Sequence, residues 1–343
     1  MKRYIFMLVL LLVALQSRAS EVNSAFESSS ELYDSIFSEQ VVVPKWTLEE
    51  LNNAEWSEQL SEGQSPFYAR LQVLLNRNFS STGAIDGRSG LNTVKAISAY
   101  QIMQGLKGDG NLDILTWEKL KQNQIELAFI EYIITSKDIQ YNYAESIPHD
   151  YALQAKMKAL SYTRVTEMLA EKFQMDEIFL QQINPNANFS KVGEKIIVAN
   201  TTNNLPKDIH TIVAHKGTRQ LFLFNKNNKM IAAFPATIGS DEMPSPSGTH
   251  KITVISFNPQ YSYNPKNFVQ GNNLKSLTLP SGPNNPVGNV WIGLSKPSFG
   301  IHGTPSPSLV SKTSSHGCIR LTNWDATNLA KHVRTGMTVK FLE

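Results

Sequence analysis

A chain of 343 residues has room for two or three domains, and a hydrophobic share of 41% is enough to bury their cores. The 32 basic and 29 acidic side chains nearly balance, which gives no support for nucleic-acid binding. One cysteine, Cys318, excludes an intrachain disulfide.

The N-terminus reads "MKRYIFMLVLLLVALQSRAS". Lys2 and Arg3 precede an apolar run from Tyr4 to Leu15, and Ser17 and Ala19 are small residues placed for cleavage after Ala19. This is the layout of a secretory signal peptide over residues 1–19. The run is shorter than the ~20 residues that span a bilayer comfortably. An uncleaved anchor is the alternative; with no cysteine after the run, a lipoprotein anchor is not expected. Cleavage would remove three of the basic residues and leave 29 against 29. The expected location is the periplasm or cell envelope, where a lone thiol is buried and inert, linked to another chain, or reactive. Residues 20–45 are rich in Ser and Glu, lack periodicity, and read as a flexible tether.

Residues 46–122 carry helical signals. In "SPFYARLQVLLNRNF", Ser65 is a predicted N-cap with Pro66 at the first helical position. Tyr68, Leu71, Leu74 and Leu75 then share a face. A short repeat follows: "DGRSGLNTVKAI" from Asp86 and "DGNLDILTWEKL" from Asp109. Each is a tight Asp-Gly turn feeding a helix expected to be capped near a threonine, Thr93 or Thr116. The paired "DG…T" pattern resembles the small helical peptidoglycan-binding domain of cell-wall enzymes; the alternative is a helical packing domain without a ligand.

Residues 148–200 offer two short amphipathic helices, a turn at Asn184-Pro185-Asn186 and a strand at Lys195 to Val198. Around "INPN…VGEKIIV" the segment resembles a LysM-type module. Glycan binding and a spacer role both fit.

Residues 208–343 change texture. Short β-rich runs appear at "IHTIVA", "QLFLFN", "KITVISF", "VWIGL" and "MTVKFL", separated by turn residues. They predict a β-sandwich or barrel, and the whole chain a multidomain α+β protein. One helix is expected near the end, with Asn323 as cap and Ala326, Leu329, Ala330 and Val333 on its inner face. Residues 258–288 are rich in Pro, Gly and Asn. With aromatics too sparse for a core layer, they are expected to form a long functional loop or lid.

"FGIHGTPSP" (299–307) and "SHGCIRL" (315–321) together resemble the active site of the L,D-transpeptidase catalytic domain, the YkuD family. "PSPSGTHKI" (244–252) and "SGPNNPVGNVWIGL" (281–294) are supporting matches, and the resemblance covers roughly residues 208–343. It implies Cys318 as nucleophile and His302 as base, oriented by a backbone carbonyl such as that of Gly303. His316 would shape the loop or assist the oxyanion site, and Gly317 would let the backbone turn and approach substrate. Arg320, Ser315 and Thr304 would contact substrate. The residue types suit the chemistry: thiolate is the nucleophile, and a histidine can take the thiol proton. Amides of Gly317 and Cys318 are natural donors to an oxyanion, and Arg320 can grip a carboxylate in bidentate fashion. A zinc site of His302, His316 and Cys318 is the alternative on residue types alone. His210, His215 and His250 lie in or beside strand-like runs and read as structural or surface groups.

The reaction implied is attack of Cys318 on a peptidoglycan stem peptide after the L-centre of its third residue. The terminal D-alanine leaves and a thioester forms. The acceptor is an amine of a neighbouring stem (a 3-3 cross-link), a lipoprotein lysine, a free D-amino acid or water; water would make the protein an L,D-carboxypeptidase. No metal or organic cofactor is implied. A non-catalytic wall-binding protein would keep the accessory modules without the thiol.

Overall fold

The computed structural model describes residues 46–343 except 61, 123, 125, 202–203, 240–243, 314 and 316. The signal-peptide and tether expectations, and His316, lie outside the described residues. Residues from Lys45 onward form one compact unit built of three parts.

The first part is helical: α1 (Leu48–Asn53), α2 (Pro66–Arg77), α3 (Leu91–Met103) and α4 (Ile114–Lys121). Ser65 caps α2 by accepting from the Tyr68 amide, with Pro66 at N1. The repeat is real but its caps differ from expectation. Gly90 and Asp113 precede α3 and α4, and the threonines stand inside the first turn. Their hydroxyls are drawn inward by a buried glutamine from the preceding helix. Gln72 donates to Thr93 Oγ1 (3.1 Å) and accepts from the Asp86 and Gly87 amides. Gln101 donates to Thr116 Oγ1 (3.2 Å) and accepts from the Gly110 amide. Each glutamine satisfies a turn whose glycine has positive φ (68° at Gly87, 77° at Gly110).

The second part pairs β1 (Phe129–Ile133) with β2 (Lys195–Ala199) antiparallel, from Phe129 opposite Ala199 to Ile133 opposite Lys195. Between them lie α5 (Ser136–Ile139), α6 (Tyr151–Gln154), α7 (Val165–Lys172) and α8 (Glu177–Ile183). The helices and final strand fall where the sequence puts them. The unit starts upstream of residue 148, because β2 needs β1 to satisfy its backbone.

The third part is one nine-stranded sheet. Its strands are β3 (Ile209–His215), β4 (Gln220–Asn225), β5 (Met230–Pro235), β6 (Thr237–Ile238), β7 (Gly248–Phe257), β10 (Val290–Leu294), β11 (Gly300–His302), β12 (Ile319–Arg320) and β13 (Thr338–Leu342). Their order is β5-β4-β3-β13-β7-β10-β11-β12-β6. The two ends of that order, β5 and β6, are separated in sequence by Ala236 alone. The sheet must therefore roll until its ends meet, giving the barrel-like sandwich that the alternating runs predict. Its core holds Ile212, Leu221, Leu223, Ile252, Ile292, Ile301, Ile319 and Val339. Helix α9 (Asn323–His332) closes it with Ala326, Leu329 and Ala330, and Val333 follows at the helix end. Its cap is Thr322, whose hydroxyl accepts from the Asp325 amide, and not Asn323.

The accessory parts dock on this sheet. The amide of Ser81 donates to Ala233 O and that of Ala233 to Phe79 O, so residues 79–81 cover edge strand β5. Met230 and Ala233 join the helical core of Phe67, Leu71, Tyr100 and Trp117.

The stretch expected to be a core-less loop holds a hairpin of β8 (Tyr261–Tyr263) and β9 (Leu277–Leu279). Tyr263 and Leu279 are buried with Leu160 in a small core that also takes Tyr151, Met157 and Phe268. The expectation fails because the missing half of that core comes from far upstream, in the second part. Gly282 is pressed against it: a Cβ there would lie 2.2 Å from Leu160 O.

Candidate active site

Strand register builds the site. Trp291 is opposite His302, His302 opposite Arg320, and Arg320 opposite Thr237, in one row across β10, β11, β12 and β6. The adjacent row is Ile255, Ile292, Ile301, Ile319 and Ile238. Side chains alternate across a strand, so the isoleucine row takes the core face and the Trp–His–Arg row the other. Ile292, Ile301 and Ile319 are fully buried, each contributing ~2 kcal/mol. A slip by one residue would exchange the two rows, so the hydrophobic pattern itself fixes where His302 and Arg320 stand.

His302 is buried, and its ring stacks on Trp291 at 5.8 Å between centroids. Its Nδ1 lies 2.6 Å from Gly303 O. A carbonyl only accepts, so Nδ1 carries the proton and Nε2 is the free base. Burial, with the nearby Arg320 cation, pushes the His302 pKa down to about 3. The ring is neutral at physiological pH.

Cys318 sits at a turn fixed from several sides. Gly317 has φ 94°, and a Cβ there would come within 2.6 Å of the Phe299 ring. Ser245 Oγ donates to Gly317 O at 2.8 Å. The thiol donates to Ser298 O at 3.6 Å. Burial raises the Cys318 pKa, against the opposing pull of the Gly300 amide and the Arg320 charge. The resting pair is therefore thiol and neutral imidazole.

Arg320 is half-buried, and its Nε has no hydrogen-bond partner among the described residues. Burial lowers its pKa, and interaction with Cys318 and the Tyr151 phenol offsets part of that. An enclosed guanidinium with unspent donors is suited to an anion. Tyr151 and Tyr261 close the site from the hairpin side. Tyr261 packs edge-on to Tyr151 at 6.0 Å and lies within electrostatic reach of Cys318.

Ser315 and Thr304 were expected to touch substrate, and the structure corrects both. Ser315 is 4% exposed; its hydroxyl donates to Cys318 O (2.7 Å) and accepts from the Gly239 amide (2.8 Å). Thr304 is 2% exposed, and its hydroxyl accepts from the Ser306 amide (3.2 Å). Both shape turns beneath the site. The Gly303 amide donates to Val290 O at 3.4 Å, so that residue offers the site its carbonyl.

Sequence reasoning missed Asn323. Its Oδ1 accepts from the amides of Thr304 (3.0 Å) and Asn289 (3.2 Å). Cβ atoms on Gly303 and Gly288 would fall 2.1 and 1.9 Å from that oxygen, so both positions require glycine. The available signal is its place directly after "CIRLT", a position that local sequence reads as a helix cap.

The family model "L,D-transpeptidase catalytic domain" matches residues 209–340, and "Putative peptidoglycan binding domain" matches residues 64–120. "Putative L,D-transpeptidase YkuD" of Bacillus licheniformis is 29% identical over 176 residues, covering 50% of this chain and 90% of that protein. "Putative L,D-transpeptidase YqjB" of Bacillus subtilis is 31% identical, covering 40% of this chain and 73% of that protein. Among solved structures, an L,D-transpeptidase from Mycobacterium smegmatis aligns with TM-score 0.33 and 17% identity, over 45% of this chain and 65% of that one. The chain belongs to the L,D-transpeptidase family. That is a family of peptidyltransferases, here joined to a helical peptidoglycan-binding domain.

Proposed function

We propose that this protein is a cysteine-dependent L,D-transpeptidase of the cell envelope that acylates Cys318 with a peptidoglycan stem peptide. The two matched domains together imply peptidoglycan as the substrate. The observation that carries the reading is the Trp291–His302–Arg320 row, with a half-buried thiol two residues before Arg320.

His302 Nε2 takes the thiol proton as Sγ attacks the carbonyl carbon of the third stem residue, the one bonded to the D-alanine nitrogen. For this the thiol turns away from Ser298 O. The amides of Gly317 and Cys318 receive the oxyanion, where one donor is typically worth ~3 kcal/mol. The protonated His302 returns its proton to the departing D-alanine amine, leaving a thioester. An incoming amine loses its proton to His302 and releases Cys318. The neutral state of His302 supports this order, because an imidazolium could not begin it. Arg320 holds a stem carboxylate.

The acceptor we favour is an amine, giving a 3-3 cross-link or attachment to a lipoprotein lysine. The hairpin, Tyr261 and Tyr151 would cover the thioester and keep water from it. We read the β1–β2 part as a LysM-like module that holds glycan while its helices brace the catalytic sheet. Residues 1–19 would direct export.

Intact-mass spectrometry after incubation with a carbapenem tests the nucleophile. One covalent adduct is expected on wild type and none on Cys318→Ala; equal adducts on both would refute it. Muropeptide analysis of cells making either form then identifies the acceptor.

A further inference from the structure

The second part of the chain reaches the catalytic histidine by a continuous path of hydrogen bonds. Glu171, on α7, accepts from Tyr162 OH (2.8 Å) on one carboxylate oxygen and from Asn323 Nδ2 on the other. Asn323 Nδ2 also donates to Pro283 O at 3.1 Å. Asn323 Oδ1 gathers the Thr304 and Asn289 amides. The same oxygen is wedged between Gly288 and Gly303. Gly303 O, in turn, fixes His302 Nδ1. One helical turn before Glu171, Glu167 Oε1 accepts from Asn284 Nδ2 at 2.7 Å, so α7 grips the 283–289 segment at two points.

We propose that Glu171 is a positioning residue: from the accessory part it locks the Asn323 amide, and so the tautomer and angle of His302. The argument is one of orientation. An Asn side chain has two ends of opposite hydrogen-bonding sense. Here the oxygen must face the two amides, which requires the NH2 group to face acceptors. Pro283 O supplies one acceptor and Glu171 the other. Without Glu171, a buried N–H loses its partner, which costs ~1–3 kcal/mol. The amide then keeps only Pro283 O and the two backbone amides as partners, and the turn that carries Gly303 O is held less firmly. Small displacements of a catalytic base are expensive in rate. Removal of the β1–β2 part would therefore impair the chemistry as well as any glycan binding.

This inference rests on His302 as the base, and the test separates the two. Full-length Glu171→Ala, Glu171→Asp and Glu171→Gln are compared in carbapenem acylation, following both the limiting rate and the half-saturating concentration. Ala deletes the acceptor. Asp retracts it by one methylene with little threat to folding. Gln restores an oxygen for Asn323, and the Tyr162 hydroxyl can turn to accept. The expected result is a limiting rate at least tenfold lower in the folded Ala or Asp variant, with half-saturation within twofold of wild type. Gln should recover to within threefold. Ring-nitrogen NMR of His302 should show the Nδ1-protonated tautomer in wild type and Gln, and a mixture in Asp. Wild-type rates and an unchanged tautomer in Asp would overturn the role of Glu171. His302→Ala is run alongside. If it acylates normally, the base assignment falls, while the tautomer measurement still judges the Glu171 path by itself.

Discussion

Ser81 Oγ donates a 2.9 Å hydrogen bond to Asp325 Oδ2, tying the peptidoglycan-binding domain to the first turn of α9. Asp325 is buried, and burial lifts its pKa from 3.8 to about 7, outweighing the hydrogen bonds from Thr322 and Ser81. A carboxyl with a raised folded-state pKa takes up a proton on folding. Its contribution is full below about pH 4 and is lost as pH rises through about 7. Asp325→Asn removes that dependence and keeps the shape. We expect urea midpoints of wild type to fall between pH 5 and pH 8 by more than those of Asp325→Asn. Parallel declines would mean that this carboxyl does not titrate in that window.

The thiol should behave as a protonated acid in the resting enzyme. Burial raises its pKa above the ordinary 9.0, and His302, held down to about 3 by burial, offers no imidazolium to pair with it. Alkylation of Cys318 by iodoacetamide is expected to climb with pH throughout the range from 6 to 9. A plateau near neutrality would instead reveal a thiolate–imidazolium pair.

Arg320 is placed to bind an anion through a planar fork that lysine lacks. Arg320→Lys keeps the nearby positive charge, so iodoacetamide reactivity of Cys318 should hold within about twofold. Use of a tetrapeptide stem at subsaturating concentration should fall about tenfold, the equivalent of ~1.4 kcal/mol. Unchanged peptide turnover would remove Arg320 from substrate binding.

What the sequence made legible follows from how local each signal is. The Ser65-Pro66 start and the strand runs depend on near neighbours, and each falls in the expected place; the His302 and Cys318 motifs are equally local signals. The caps at Thr93, Thr116 and Asn323 were misplaced because a polar side chain can serve its own helix or a distant backbone group. Gln72, Gln101 and Glu171 decide which, from positions that carry no motif. Likewise, "YSYNPKNF" reads as a lid because the apolar partners of Tyr263, among them Leu160, lie a hundred residues away in sequence. Burial of Ser315 and Thr304 is a matter of turn geometry, and a motif gives residue type without exposure.

The roof over the site offers the last prediction. Tyr263 is its keystone: 1% exposed, edge-on to Tyr151 (5.4 Å) and Phe268 (5.5 Å), donating to Asn273 O (2.8 Å) and accepting from the Gln270 amide (3.0 Å). Truncating a buried aromatic to alanine typically costs ~3–5 kcal/mol. The loss falls on a small satellite core, so the hairpin should open while the main sheet stays folded. Hydrogen exchange across residues 261–279 would show whether it does. Under the proposed mechanism, an open roof would admit water to the thioester and loosen the hold on an amine acceptor. Tyr263→Ala should therefore raise the ratio of hydrolysed tripeptide to 3-3 cross-link severalfold in a muropeptide assay. Alkylation of Cys318 by a small reagent should be as fast as in wild type, or faster. If exchange reports an open hairpin and the ratio stays constant, shielding by this hairpin is not what favours an amine over water.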